Sequence, residues 1–228
     1  MNKEVIDKSA IAIRAYDNVV DEYIEYYKTK DLNGGVPFQK EIDYIVSNLE
    51  DNSKILDMGT AIGDYPRFLT QKCDKNFNVI GIDSSNNMLD KARINAPKAE
   101  FKLMDIRKLE FEPNTFDAVI CFAILTYVDD DNCIKVLDSV DEILRSGGLL
   151  AINVLEQKDG FEKELVIPEP FNPKFDNYFN RYTKDFFIKY FNNKNYEILV
   201  MYDNPIFNSE EAGVFSEENQ FSIILRKK

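Results

Sequence analysis

From Lys54 onward, short apolar segments alternate with segments whose apolar residues recur at helical spacing. This alternation is typical of βαβ units and predicts an α/β fold with a largely parallel sheet. The seven predicted strands are residues 54–58, 78–83, 100–104, 117–122, 149–154, 196–202 and 220–226. The four predicted helices between them are residues 64–72, 85–95, 131–145 and 183–193. The last helical turn ending at Arg145 is followed by glycines, which predicts a helix end directly before a buried strand.

Residues 1–52 have a different pattern and precede the first predicted strand. A helix is predicted there from apolar and aromatic residues at helical spacing, namely Ile13, Tyr16, Val20, Tyr23 and Tyr27. A second helix is predicted to start at Pro37, because proline is favoured in a first helical turn. We expect residues 1–52 to form a helical cap and residues 53–228 to form the core. Residues 156–182, with three prolines and six aromatic residues, are predicted to form a cover.

The composition excludes several classes of function. The 228 residues include 40 acidic and 28 basic residues, a net charge of -12, so the surface repels nucleic acids and anionic membranes, and neither is expected as a partner. The absence of histidine excludes the Ser-His-Asp triad, the Cys-His dyad and histidine-bearing zinc sites. The three cysteines lack C-x-x-C spacing, and no metal site is expected. Without a long apolar segment, the chain is predicted to be cytoplasmic.

The segment KILDMGTAIGDYPRFL, residues 54–69, joins a predicted strand to a glycine-containing turn and a helix. Gly59 and Gly63 allow a ligand to lie close to the backbone. The segment lacks the G-x-G-x-x-G order of dinucleotide-binding turns, and the chain has no G-x-x-x-x-G-K-[ST] motif. We expect Asp57 and Asp64 to flank the pocket and to repel a pyrophosphate. A cationic ligand is therefore favoured.

Two further acidic residues follow the next predicted strands. Asp83 ends the second strand about 20 residues after Gly63, where an acidic residue binds ribose hydroxyls in related folds. Asp105 and Ile106 follow the third strand and could supply a polar contact and an apolar wall for adenine. A ligand with adenine, a free ribose, no phosphate and a positive centre is indicated, and S-adenosylmethionine has all of these features.

The chain resembles class I S-adenosylmethionine-dependent methyltransferases from about Tyr16 to Lys228. ILDMGTAIG resembles the first motif of the family, and GIDSSNNMLDKA resembles the segment with the ribose-binding acid and the helix beneath adenine. LMDIRKLEF, FDAVICFAILTYV and EILRSGGLLAINVLE resemble the next three family segments, in order. The resemblance implies a doubly wound, Rossmann-like seven-stranded sheet of order 3-2-1-4-5-7-6 with an antiparallel last strand. It also implies S-adenosylmethionine as cofactor and S-adenosylhomocysteine as product.

Together, the residue pattern and the resemblance predict two sets of site residues. The predicted cofactor-binding residues are Tyr16, Asp57, Gly59, Thr60, Ala61, Gly63, Asp83, Ser84, Met88, Asp105, Ile106 and Phe122. The predicted substrate contacts are Tyr23, Tyr127, Tyr178 and Tyr182. The sequence departs from the family pattern where Ala61 replaces the middle glycine. Because Thr126 and Tyr127 stand where histidine is frequent in the family, no catalytic base can be assigned by resemblance.

The predicted function is methyl transfer from S-adenosylmethionine to an oxygen or nitrogen of a small molecule. Two alternatives are an RNA or protein methyltransferase and a noncatalytic module that binds S-adenosylmethionine or S-adenosylhomocysteine. A nicotinamide oxidoreductase is disfavoured by the carboxylates near the glycine turn. The sequence leaves open the acceptor, the number of methyl groups transferred, the catalytic base and the oligomeric state.

Overall fold

A computed structural model describes residues 7–28, 35–205 and 219–228. The helices of these residues are α1 (Lys8–Asn18), α2 (Val20–Lys28), α3 (Gln39–Asn48), α4 (Asp64–Gln71), α5 (Asn86–Asn95), α6 (Asp130–Ile143) and α7 (Lys184–Asn192). The strands are β1 (Lys54–Met58), β2 (Asn78–Asp83), β3 (Glu100–Leu103), β4 (Phe116–Phe122), β5 (Leu144–Leu155), β6 (Glu164–Pro168), β7 (Asp176–Asn180), β8 (Tyr196–Pro205) and β9 (Asn219–Lys227). A short 3₁₀ helix spans Leu125–Tyr127.

Seven of the strands form one sheet, in the order β3-β2-β1-β4-β5-β9-β8. Strands β1 to β5 pair in parallel, whereas β9 runs antiparallel to both of its neighbours. The predicted strand order and the antiparallel last strand are therefore confirmed, with β8 and β9 as the predicted sixth and seventh strands. The direction of strand addition reverses between β1 and β4, and open α/β sheets bind ligands at such a point.

Side chains alternate along each central strand, so successive apolar residues point to opposite faces of the sheet. Both faces are buried in apolar clusters. In β1, Leu56 and Met58 belong to the apolar cluster that includes residues of α6 and α7. Ile55, on the opposite face, belongs to the cluster that includes Ile42 and Ile45 of α3. Helices thus cover both faces, as the near-continuous apolar composition of the strands indicates.

The helix ends show where local chemistry sets the boundaries. The side chain of Ser85 accepts a hydrogen bond from the backbone N–H of Met88 and caps α5. Asp129 caps α6 in the same way, with the Asn132 N–H at 2.8 Å. Helix α6, predicted at roughly residues 131–145, ends two residues earlier at Ile143, and Arg145 forms an ion pair with Asp117.

The N-terminal region differs from prediction at two places. The single helix predicted through Tyr16 and Tyr23 is two helices, with Val19 outside helical geometry between them. The helix predicted from Pro37 begins at Gln39, because Phe38 adopts a left-handed conformation with φ of 53°. Residues 1–6 and 29–34 of the predicted cap lie outside the described residues, and the boundary at residue 52 stays a prediction.

The segment predicted to be a cover contains a hairpin. Strands β6 and β7 pair antiparallel, with Leu165 opposite Phe179 and Val166 opposite Tyr178. Helix α1 packs on β7 and also contacts α5 and the 3₁₀ helix.

In the described part of the chain, every helix is too short or too polar to span a bilayer.

Candidate functional site

A cavity of about 720 Å³ lies at the carboxyl ends of the parallel strands. Its floor is built from the segments that follow β1, β2, β3 and β4, including Gly59, Asp83, Asp105 and Ile124. The opposite wall comes from α1, α2 and the loop between β6 and β7. The cavity therefore joins the reversal point of the sheet to residues of the N-terminal helices.

The turn after β1 is held tightly against β2. The backbone N–H groups of Gly59 and Thr60 both donate to the carbonyl of Ile82, at 2.9 Å each. Gly59 has φ of +70°, and a Cβ atom built there would lie 2.5 Å from Cδ1 of Ile124. Glycine is therefore required at this position by backbone conformation and by space. Ala61 also has positive φ, at 46°, so this alanine occupies a conformation that glycine adopts more easily.

The sequence led us to expect Asp57 at the cavity, but its side chain lies outside the cavity lining. Its side chain is buried, and Oδ2 accepts a hydrogen bond from the Thr60 hydroxyl at 2.6 Å. Burial raises the pKa of Asp57 to about 7, against the lowering effect of the Thr60 hydrogen bond, and Asp83 and Asp64 raise it further. Asp57 therefore braces the turn and carries only part of a negative charge at neutral pH.

Asp64 also lies outside the cavity lining. Its Oδ1 accepts a hydrogen bond from the side-chain amide of Asn95 at 3.1 Å and lies 3.6 Å from Arg67. The idea that Asp57 and Asp64 flank the ligand is therefore corrected, because both side chains make contacts within the protein. The charged side chains of the cavity lining come from other segments, although the charge of Asp64 adds to the burial that raises the pKa of Tyr23 and Tyr27 in that lining.

Asp83 does reach the cavity, at the end of β2. Its two oxygens accept hydrogen bonds from the backbone N–H groups of Ala61 and Ser85, at 2.9 Å each. Burial raises the pKa of Asp83, although these backbone hydrogen bonds oppose the shift. The backbone of Ser84 also hydrogen bonds to this carboxylate, and since a carboxylate has about four acceptor sites, about one remains for a ribose hydroxyl.

Asp105 lines the cavity together with Arg107. The guanidinium donates from Nε and Nη2 to the Asp105 carboxylate, and Nη1 donates to Asp7 at 2.7 Å. Burial alone would raise the pKa of Asp105, but the hydrogen bonds and charge of Arg107 lower it overall. The Asp105 carboxylate is thus fixed in its charged form, and α1 is connected to this end of the cavity through Asp7.

The residues at the Asp105 end of the cavity can make apolar and polar contacts with an adenosine group. Met88 and Ile106 are buried apolar residues of the lining and can cover the faces of a flat ring. The hydroxyl of Ser9, on α1, is buried at the cavity without a hydrogen-bond partner among the described residues. An unpaired buried hydroxyl is costly unless a ligand completes it. Together with Asp83, these groups fit S-adenosylmethionine.

The other end of the cavity is lined by aromatic side chains, which we call the aromatic end. It consists of Tyr16, Tyr23, Tyr26, Tyr27, Tyr127 and Phe171. Neighbouring ring centroids in this group lie 4.6 to 6.5 Å apart. The hydroxyls of Tyr16 and Tyr127 hydrogen bond to each other, and burial raises the pKa of both. Both tyrosines are therefore neutral near pH 7.

Glu169 adds a carboxylate beside the aromatic end. It is 1 % exposed and accepts hydrogen bonds from the side-chain amide of Asn177 and from the Phe171 N–H. Burial raises the pKa of Glu169, while these two hydrogen bonds lower it. Its charge adds to the burial that raises the pKa of Tyr16 and Tyr127.

Most of the predicted site residues meet at this cavity. Those in its lining are Tyr16, Tyr23, Gly59, Ala61, Asp83, Ser84, Met88, Asp105, Ile106, Phe122 and Tyr127. Those outside the lining are Asp57, Thr60, Gly63, Tyr178 and Tyr182. Thr60 is the partner of Asp57, and a Cβ atom built on Gly63 would lie 3.0 Å from Cβ of Ala92, so Gly63 permits the close approach of α5.

Tyr178 and Tyr182 are placed in the protein interior. Both are fully buried, and the Tyr182 hydroxyl donates to the carbonyls of Leu125 and Val128. Phe179 lines the cavity instead of its neighbour Tyr178, because adjacent side chains of β7 point to opposite faces. The aromatic composition of the segment did not indicate which face of the hairpin would meet the cavity.

Sequence reasoning missed several lining residues. Tyr27 was noted for its helical spacing, and Phe171 for its place in the aromatic segment, but neither was assigned to the site. The sequence did not indicate a site role for Glu169, because a glutamate between two prolines is typical of an ordinary loop. Arg107 was not predicted either, although it follows Asp105 by two residues.

Residues 55–148 match the family model described as a methyltransferase domain. A relative in sequence is the demethylmenaquinone methyltransferase of Thermotoga maritima, 28% identical over 62% of this chain and 60% of that protein. The chain spans between 52% and 60% of the length of the first three curated relatives that it matches.

Solved structures share the fold. A protein of Methanosarcina mazei described as an S-adenosylmethionine-dependent methyltransferase has a TM-score of 0.66 at 19% identity, covering 81% of this chain and 96% of that one. The 1,6-didemethyltoxoflavin-N1-methyltransferase of Burkholderia thailandensis, with S-adenosylhomocysteine bound, has a TM-score of 0.64 at 14% identity, covering 100% and 93%. Residues 55–148 are thus similar to a methyltransferase domain, and the chain has the Rossmann-like fold of solved S-adenosylmethionine-dependent methyltransferases.

Proposed function

We propose that this chain transfers a methyl group from S-adenosylmethionine to an oxygen or nitrogen atom of a small molecule. The observation that carries the proposal is the continuity of the cavity, from Asp83 and Asp105 at the sheet to the aromatic end under α1 and α2. A volume of about 720 Å³ can hold both a cofactor and a small acceptor. A protein or RNA acceptor is less compatible with an acidic cavity lined by the N-terminal helices.

The cofactor supplies an electrophilic methyl group on a sulfonium centre. In our proposal Asp83 accepts a ribose hydroxyl, Met88 and Ile106 pack on adenine, and the Ser9 hydroxyl completes a polar contact. The backbone from Gly59 to Ala61 lies against the ligand without a side chain in the way. These residues fix the position of the reacting centre, and positioning of this kind can supply ~7 to 11 kcal/mol of a barrier.

The acceptor is held at the aromatic end. Tyr16 and Tyr127 are neutral and orient a polar atom through their hydroxyls, since their raised pKa values exclude them as phenolate bases. Glu169 is the carboxylate placed to accept a proton from the acceptor. Residues of α1 and α2 exclude water from this end, and we assign the cap the role of a lid.

The test is transfer of a labelled methyl group. Purified protein is incubated with S-adenosylmethionine labelled in its methyl group and with separate small-molecule, RNA and protein fractions of a cell extract. Label is expected in the small-molecule fraction. It should be lost in Asp83→Ala and kept in Asp90→Ala, a control at an exposed residue of α5. Label in RNA or protein would overturn the acceptor class, and cofactor binding without any transfer would indicate a noncatalytic module.

A further inference from the structure

The charged side chains of the cavity lining are almost all acidic. Five carboxylates face one guanidinium, the acidic residues being Glu22, Glu25, Asp83, Asp105 and Glu169. The guanidinium of Arg107 is already engaged on both sides, by Asp105 and by Asp7. An anionic acceptor would therefore meet repulsion and find no unpaired cation among the described lining residues. A negative potential of this kind attracts cations.

Glu169 is the most buried carboxylate of this set, and it accepts a hydrogen bond from Phe171 of the aromatic end. It receives two hydrogen bonds, from Asn177 and Phe171, and no described lysine or arginine forms an ion pair with it. Burying a carboxylate without an opposite charge is unfavourable. A ligand that brings a positive charge to this position would offset that cost.

The aromatic end offers ring surfaces beside the carboxylate. Phe171 connects the two features, because its backbone N–H donates to Glu169 and its ring contacts three tyrosines. Its centroid lies 5.1 Å from that of Tyr26, 5.4 Å from that of Tyr23 and 6.5 Å from that of Tyr16. The faces of such rings attract ammonium groups, and the attraction increases when water is excluded.

We propose that the aromatic end and Glu169 form a binding site for an organic ammonium group, so that the methyl acceptor is a small amine. This inference rests on the proposed function, since it assigns a substrate class to the same cavity. The bound ammonium loses one proton to the Glu169 carboxylate. The nitrogen lone pair of the resulting amine then forms the bond to the methyl carbon of the cofactor, while the electron pair of the breaking carbon–sulfur bond stays on sulfur.

Choline and its neutral isostere 3,3-dimethylbutan-1-ol provide a direct test of the site. The two probes have the same shape, and the quaternary nitrogen of choline cannot accept another methyl group, so binding is separated from turnover. In calorimetric titrations of the full chain we expect choline to bind at least about tenfold more tightly. Equal affinity, or tighter binding of the alcohol, would overturn the proposal.

Two variants connect the preference to the named residues. Glu169→Gln removes the charge and keeps one of the two acceptor oxygens that receive the Phe171 N–H and the Asn177 amide, and it should lose about tenfold in choline affinity. Glu162→Gln, at an exposed residue outside the cavity, should match the wild type. Phe171→Leu removes the ring and should lower choline affinity several-fold, which keeps the test valid if Glu169→Gln does not fold. Unchanged affinity in a folded variant of either residue would overturn the proposal.

The outcomes separate this site from the proposed function. Choline binding without methyl transfer to any small molecule would support the ammonium site and overturn the proposed function. Methyl transfer to an alcohol, together with no preference for choline, would support the proposed function and overturn the amine assignment.

Discussion

The buried carboxyl of Asp57 allows a prediction with a definite sign. Its folded-state pKa is about 7, chiefly because of burial, whereas an aspartate in an unfolded chain titrates near ~3.9. The folded state therefore holds the proton more tightly than the unfolded state. The resulting stabilisation is fully present below a pH of ~3.9 and is lost as the pH rises through the folded-state pKa. A difference of about three units corresponds to about 4 kcal/mol over the whole range.

The perturbation is Asp57→Asn, which cannot ionise but can keep a hydrogen bond with Thr60. The free energy of unfolding is measured by urea titration for both proteins between about pH 5 and about pH 8. We expect the wild type to lose about 2 to 3 kcal/mol relative to the variant over this interval. The difference between the two curves isolates Asp57 from other titrating groups that both proteins share. Asp74→Asn, at an exposed residue, is the matched control and should leave the curve parallel to that of the wild type.

Parallel curves for wild type and Asp57→Asn would refute the reasoning. They would mean that the carboxyl ionises as easily in the fold as in the unfolded chain. Water or a rearranged donor would then have to reach it, and the turn after β1 would carry a full negative charge beneath the cavity.

Three further predictions concern the glycine turn and the strand end beside it. Asp83→Ala should weaken the binding of S-adenosylmethionine by ~1 to 3 kcal/mol in calorimetry, because ribose contacts are lost, and unchanged affinity would count against this role. Ala61→Gly should raise the free energy of unfolding by about 1 kcal/mol, since residue 61 has positive φ, and a loss of stability would contradict strain there. Gly59→Ala should lower the free energy of unfolding by more than ~2 kcal/mol. Adding Ile124→Ala should restore part of this loss if contact with Ile124 is the cause.

The sequence predicted the sheet because the signals for its strands are local. Apolar runs and their separation by amphipathic helices depend only on neighbouring residues, so the strand order followed once the resemblance was recognised. Asp83 was predicted as a site residue because the end of a parallel strand fixes its place at one edge of the sheet. The structure puts its carboxylate at the cavity as expected.

The sequence could not place residues whose position depends on long-range packing. Tyr178 and Phe179 are both aromatic, so residue type does not tell them apart. Only the pairing of β7 with β6 decides which of them faces the cavity. Glu169 became a site residue through contacts that fold the loop back on itself, with Asn177 eight positions away. Asp57 appeared to be a ligand-facing carboxylate because its partner Thr60 depends on the shape of the turn.

The same packing changes which charges select the ligand. The carboxylates of Asp57 and Asp64 hydrogen bond to protein groups and lie outside the cavity lining, although the charge of Asp64 still acts on Tyr23 and Tyr27. At the adenosine end Asp105 is balanced by Arg107, whereas at the aromatic end Glu169 has no described cation beside it. Asp83 at the adenosine end likewise has only backbone N–H partners, so carboxylates without a described cation lie at both ends of the cavity. In our proposal the one at the aromatic end acts on the acceptor. A methyltransferase of this fold that used an anionic acceptor would need the opposite arrangement, with an unpaired lysine or arginine at that end.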